Sequence, residues 1–165
     1  MLFTGEYEHS IDAKQRMAIP SELRTVLDPA VHGEGFYATP GLNGALWLWP
    51  SRTFEELVNT MDASLLPEDE VAEFDDFFFS QAARLEIDSA GRVRLPERLL
   101  RGAGIERNVT ILGVRDHLEL RDPDDWATLL EEKRRSQGDV MRRARLAMAR
   151  RRGQPADGGP GPTGD

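Results

Sequence analysis

Phe3, Tyr7, His9 and Ile11 fall on positions of one parity, the pattern of a half-buried strand. Residues 12–15 then read as a tight connection. Residues 16–19 follow as a short strand with Met17 and Ile19 on one face. Pro20 opens a helix, because proline suits the first helical position, and Leu23, Val26 and Leu27 come at helical spacing. Asp28-Pro29 stops it. Residues 36–39 and 45–49 are two further strands, joined through Pro40-Gly41 and Asn43-Gly44. An Asn-Gly pair between apolar runs is a hairpin signal. Ser51 caps a helix over Phe54, Leu57, Val58 and Met61, with Glu55 in its first turn.

The second half repeats this order. Residues 83–87 alternate as a strand through Leu85 and Ile87. Ser89-Ala90-Gly91 is a turn, and Val93 and Leu95 mirror Met17 and Ile19. Pro96 opens a helix with Leu99 and Leu100. Strands follow at 108–112 and 117–120, and a helix with Trp126, Leu129 and Leu130 starts at Asp122-Pro123. The repetition is literal at its centre. Residues 11–20 read IDAKQRMAIP and residues 87–96 read IDSAGRVRLP, so Asp12, Arg16 and Pro20 recur 76 positions on as Asp88, Arg92 and Pro96. Later landmarks recur at 72: Gly41 with Gly113, Leu46 with Leu118, Phe54 with Trp126. Two copies of half a chain imply one pseudo-symmetric body rather than a solenoid.

The predicted divisions are residues 1–63 for the first repeat with its following helix, 64–80 for an acidic connecting helix, 81–137 for the second repeat with its helix, and 138–165 for a basic extension and tail. Phe77, Phe78 and Phe79 cannot share one helical face, so part of this run must meet a second surface, of the core or of another subunit. The last helix extends from Asp122 into the basic stretch, with Gly138 as its weak point. Residues 153–165, almost without apolar side chains, are expected to be disordered.

Composition changes the picture mainly by exclusion. The 165 residues include no cysteine, which removes disulfides, thiolate metal sites and a cysteine nucleophile and suits a reducing cytoplasm. The first residues lack the pattern of a signal peptide, and no run reaches the length of a membrane span. His9, His32 and His117 fit no metal-ligand or nucleophile–base spacing, and there is no phosphate-cradling glycine motif. The expectation is a non-enzyme with no cofactor, metal or small-molecule substrate. Net charge is −8, but it is divided. Residues 53–83 hold nine acids and no Lys or Arg, whereas residues 133–152 hold nine basic residues and one acid.

The Asp-x-x-x-Arg frame admits two readings. The carboxylate can accept turn N–H groups, with the Arg pairing back across the hairpin. Alternatively, several such hairpins present Arg to phosphates or guanine edges. The run Arg142 to Arg152 is equally open: a solvated helix end, a nucleic-acid tether, or a partner for the acidic segment.

The opening MLFTGEY, followed by IDAKQRMAIP and then DSAGR, resembles the MraZ family of bacterial transcriptional regulators over roughly residues 1–135. The resemblance implies an α+β fold: two tandem SpoVT/AbrB-like swapped-hairpin repeats forming a pseudo-twofold small β-barrel with short flanking helices, plus a C-terminal helix and a disordered tail. It implies a ring-like homo-oligomer that binds double-stranded DNA at repeated promoter boxes upstream of its own division and cell-wall gene cluster, in the cytoplasm and on the nucleoid. Carried over by position, the DNA-contacting residues are Asp12, Lys14 and Arg16 in the first copy and Asp88 and Arg92 in the second, with Arg24 and Arg94 as neighbouring candidates. The rivals are an AbrB-type antitoxin that represses its own promoter, and a protein-binding scaffold without specific DNA binding. Two departures from the usual pattern, Gln15 where glycine is common and Ala90 where the first copy has Lys14, make the first copy the expected principal reader.

Overall fold

The computed structural model describes residues 1–61 and 68–153. The start of the expected connecting helix (residues 64–67) and nearly all of the expected disordered tail (residues 154–165) lie outside the described residues. Residues Met1–Trp126 form one compact unit, and the chain from Ala127 forms a second.

The first unit is α+β, and the predicted order of elements holds with adjusted ends. β1 (Glu6–Ser10), β2 (Arg16–Ala18), α1 (Ser21–Thr25), β3 (Gly35–Pro40), β4 (Leu46–Pro50) and α3 (Ser51–Asn59) make up the first copy, with α2 (Pro29–His32) between α1 and β3. After α4 (Asp69–Gln81), the second copy supplies β5 (Ala83–Glu86), β6 (Arg92–Arg94), α5 (Glu97–Gly102), β7 (Asn108–Val114), β8 (His117–Arg121) and α6 (Pro123–Arg135), which continues into the second unit.

Several local expectations change. Asp28-Pro29 does not only end a helix: the Asp28 carboxylate accepts the Ala30 N–H and caps α2. Pro20 and Pro96 stand at the N-cap, one position before the helices they introduce. Ser51 is inside α3 and makes no side-chain cap; Pro50 holds the N-cap position. The 42–44 turn between β3 and β4 is a single 3-10 turn in which Asn43 adopts φ 54°.

The tertiary arrangement follows from pairing between copies. Six strands form one antiparallel sheet in the order β1-β7-β8-β4-β3-β5, and β2 pairs with β6 in a separate two-stranded ribbon. Exchanging the copies (β1 for β5, β3 for β7, β4 for β8) reverses that order and leaves it otherwise unchanged. Only β3–β4 and β7–β8 are ladders within a copy; β1–β7, β3–β5, β4–β8 and β2–β6 all cross between copies. The pseudo-twofold axis passes through two residue pairs. In the ribbon Met17 faces Val93, its own counterpart, and in the sheet Trp47 faces Glu119 in the same way. β1 and β5 remain edges, so no continuous ladder closes the sheet into a barrel.

The core fills the space between sheet and ribbon. Leu46, Leu48, Leu118 and Leu120 of the central strands, Phe36, Val109 and Ile111 beside them, and Met17, Val93, Ile19 and Leu95 of the ribbon region are all buried. Phe3 is drawn in by a bridge to Arg115 and is fully buried. The Phe run of α4 divides as its spacing required: Phe78 and Phe79 lie against Phe54 of α3, whereas Phe77 is 60% exposed.

In the second unit the helix breaks at Ser136, before the expected weak point at Gly138, and resumes as α7 (Gln137–Gly153). Arg135 pairs with Glu131, and Arg142 with Asp139. Met141, Leu146 and Met148 are exposed.

Met17 sits on the pseudo-twofold axis with no exposed surface. Met17→Ala is expected to destabilise the protein by about 2–5 kcal/mol, because a large cavity opens where ribbon and sheet meet. Urea unfolding reads this directly, and a loss below ~1 kcal/mol would show that the ribbon packs independently of the core.

Candidate functional site

The seven sequence-predicted residues all belong to the β2–β6 ribbon, the turns that lead into it, or the helix behind it. Each turn is built by one aspartate. Asp12 Oδ1 accepts the backbone N–H groups of Lys14 and Arg16, each at 2.9 Å, and Oδ2 accepts Arg16 Nε at 2.8 Å. The second copy reproduces this: Asp88 Oδ1 accepts the N–H groups of Ala90 and Arg92 at 2.9 Å, and Oδ2 accepts Arg92 Nε at 2.9 Å. Backbone bonds Asp12 N to Arg16 O and Asp88 N to Arg92 O close both loops. A carboxylate that accepts two N–H groups and a guanidinium is stabilised in its charged form. The backbone bond from Arg16 leads in lowering Asp12 below the ordinary value of 3.8, and the backbone bond from Arg92 does the same for Asp88, with the guanidinium bonds adding to both.

Both turns need one residue in the left-handed region, Gln15 at φ 60° and Gly91 at φ 73°. The turns also lock the copies together. Gln15 O accepts the Leu95 N–H, and Gly91 O accepts the Ile19 N–H, so each turn caps the strand end of the other copy.

Pairing of β2 with β6 decides which side chains meet. Arg16 stands opposite Arg94, and Ala18 opposite Arg92. Met17 and Val93 point to the core, so Arg16, Arg94, Ala18 and Arg92 share the outward face. Directly opposed like charges cost energy in a sheet. Arg16 relieves this through Asp12, but it spends only Nε in doing so. Among the described residues, both Nη groups of Arg16, the Arg94 guanidinium and the Lys14 ammonium carry no hydrogen bond or ion pair. The first-turn end of the ribbon thus presents three cations, of which one is neutralised.

Arg24 of α1 belongs to the other end. Its Nε donates to Ile19 O at 3.1 Å. A Cβ placed on Gly91 would lie 2.5 Å from Arg24 Nη1 and 2.6 Å from its Cζ, so the guanidinium lies directly on the second-copy turn. Spacing within one copy carries no trace of this contact.

Sequence reasoning also passed over a buried polar network on the outer face of the central strands. Trp47 Nε1 donates to Glu119 Oε1 at 3.1 Å. Arg121 donates from Nε and Nη2 to Glu119 Oε2, and from Nη1 to Asn43 O at 2.8 Å. Burial pushes the Glu119 carboxyl up, but the His117 ring 3.7 Å away and the bonds from Arg121 and Trp47 outweigh it and hold the group below its ordinary value. His117 stacks on Trp49 with ring centroids 4.2 Å apart. Polar residues 117, 119 and 121 share the parity of Trp47 and Trp49, and that is the signal that marks one packed face.

No helix among the described residues is long and apolar enough to cross a membrane. A family model described as "MraZ protein, putative antitoxin-like" matches two consecutive segments, residues 2–75 and 78–147. A "Transcriptional regulator MraZ" of Heliobacterium modesticaldum is 34% identical over 139 residues, covering 84% of this chain and 94% of the relative. One from Acetivibrio thermocellus is 37% identical over 125 residues (76% of this chain, 84% of the relative), and one from Symbiobacterium thermophilum is 37% identical over 128 residues (78% and 89%).

The lowered aspartate pKa values set a pH dependence. A carboxyl whose native pKa lies below its unfolded value adds stability that is complete above the unfolded value and disappears as the pH falls through the native one. Asp12→Asn is therefore expected to be less stable than the parent protein at neutral pH, with the difference vanishing on acidification below 3.8. Urea midpoints across an acid series would show it; a difference that persists unchanged into acid would mean that the charge is irrelevant to the turn.

Proposed function

Because the chain belongs to the MraZ family, we propose that it is a DNA-binding transcriptional regulator whose β2–β6 ribbon reads duplex DNA. The observation that carries this reading is the outward face of the ribbon, where Arg16 is held by Asp12 through Nε alone and keeps both Nη groups free beside unpaired Arg94 and Lys14. A two-stranded ribbon fits the major groove, and a guanidinium fork is the commonest reader of guanine O6 and N7. The Asp12 bond restricts the Arg16 side chain before DNA arrives, which lowers the ordering cost on binding. Lys14 and Arg94 supply phosphate contacts that position the ribbon without choosing sequence. The net charge of −8 does not oppose this, since residues 53–83 hold nine acids and no Lys or Arg, and the rest of the chain, with twenty acids and twenty-one basic residues, is close to neutral.

The functional form is a homo-oligomer, ring-like as the family resemblance implies, and its targets are repeated boxes upstream of its own division and cell-wall gene cluster. Several ribbons on several boxes bind far more tightly than one. Exposed Phe74 and Phe77 on α4 support a contact between copies, since large aromatic side chains at 43% and 60% exposure gain by being covered. The protein acts in the cytoplasm, on the nucleoid, and not as an enzyme. The words "antitoxin-like" in the family description favour one second reading, an antitoxin that represses its own promoter. Co-purification of a toxin encoded beside the gene would select it.

Arg16→Ala is expected to abolish preference for the DNA upstream of the chain's own gene while leaving fold and oligomer mass intact. Removing one guanine reader costs ~1–3 kcal/mol, and the penalty multiplies over an oligomer. Gel shifts paired with light scattering test both halves. Parent-like affinity in a folded, correctly assembled Arg16→Ala protein would remove Arg16 from the interface, and a monomer at micromolar concentration in the parent protein would remove the ring.

A further inference from the structure

The two ribbon turns differ in charge when each copy is read by itself. The first turn carries Lys14 at its tip, and the second carries Ala90, exposed and neutral, at the same place. The structure supplies the missing cation from the other copy. Arg24, on α1 of the first copy, lays its guanidinium on Gly91, the residue after Ala90. Its Nε is fixed by Ile19 O, and the Ile19 N–H in turn donates to Gly91 O, so helix, strand end and turn are one bonded unit. Nη1 and Nη2 of Arg24 carry no hydrogen bond among the described residues, and Arg24 forms no ion pair there with Asp88.

Gly91 leaves the space that this placement uses. Gln15 holds the same turn position in the first copy at nearly the same φ, so the backbone conformation alone does not demand glycine. What distinguishes position 91 is the close approach of Arg24, whose guanidinium would have to shift if a side chain stood there. The arrangement is not symmetric. The counterpart of Arg24 in the second copy is Leu100, 5% exposed and part of the core, so α5 delivers no charge to the first turn.

Resting on the DNA-binding reading above, we infer that Arg24 is the phosphate-contacting cation of the second-copy turn, taking there the place that Lys14 has in the first. Each end of the ribbon then offers a turn cation and a clamped arginine: Lys14 with Arg16, and Arg24 with Arg92. Nε anchors the guanidinium to Ile19, and the two Nη groups, without a hydrogen bond among the described residues, form a fork suited to phosphate oxygens. The second turn is a full DNA contact, with its tip charge borrowed across the copies.

The test uses the full chain, the DNA fragment immediately upstream of its own coding sequence, and a salt series followed by fluorescence anisotropy. Arg24→Gln is expected to flatten the slope of log K against log salt by about 0.9 for each copy engaged, the signature of one phosphate left without its cation. The Lys14→Gln variant is expected to flatten it by the same amount. Adding Ala90→Lys to Arg24→Gln is expected to restore the slope without restoring the thermal midpoint, because a new lysine replaces the charge and not the bond to Ile19. An unchanged slope in Arg24→Gln, with normal binding by the parent, overturns this inference alone. A flattened slope that Ala90→Lys does not restore shows Arg24 to be a structural support and also overturns it. No binding by the parent at any salt overturns the regulator reading and this inference with it.

Discussion

Everything in the first unit depends on strands finding their partners in the other copy of the repeat. Neither copy has a complete sheet of its own. β1 has no partner until β7 arrives, β5 none until β3 is in place, and the short β2 and β6 have only each other. An isolated two-stranded hairpin is marginal in water, and a three-residue strand is less than that. The copies therefore fold as one cooperative body, and the pairs Met17–Val93 and Trp47–Glu119 mark the axis about which they exchange.

This exchange sets the shape of the candidate site. The outward face of the ribbon is short because β2 and β6 are three residues each, and it is densely cationic because antiparallel register brings Arg16 and Arg94 side by side. Two arginines of this face, Arg16 and Arg92, are restrained by aspartates, and Arg94 is not. Exposed ion pairs contribute little to stability. The contribution of Asp12 and Asp88 is conformational: each holds a turn and an arginine with one carboxylate.

Departures from pseudo-symmetry are where the chain specialises. The residues 72 positions after Trp47 and Trp49 are Glu119 and Arg121, so the second copy puts an ion pair where the first puts aromatic rings. Arg121 also holds the 42–44 turn of the first copy through two backbone carbonyls. Arg24 and Leu100 form a similar unequal pair, one reaching the opposite turn and the other filling the core. In both places one copy provides a group that the other lacks.

The order of elements, the repeat and the clamp were legible in the sequence because each rests on local spacing. Alternation over β1, helical spacing after Pro20 and Pro96, and Asp four residues before Arg need only neighbours along the chain. Local signals missed their mark at ends and caps, at Ser51, Asp28 and Ser136, where several residues in a row could have begun or ended a helix. The swap itself could only be expected through family resemblance. Ladders such as Glu6 with Leu112 join residues more than a hundred positions apart, and nothing in either segment names its partner. The same holds for Arg94 beside Arg16, Arg24 on Gly91 and Glu119 beneath Trp47. The sequence by itself determined which residues could carry charge to a partner. Tertiary structure decided which of them stand together, because that depends on inter-copy register, and register is settled by burying one core between two copies.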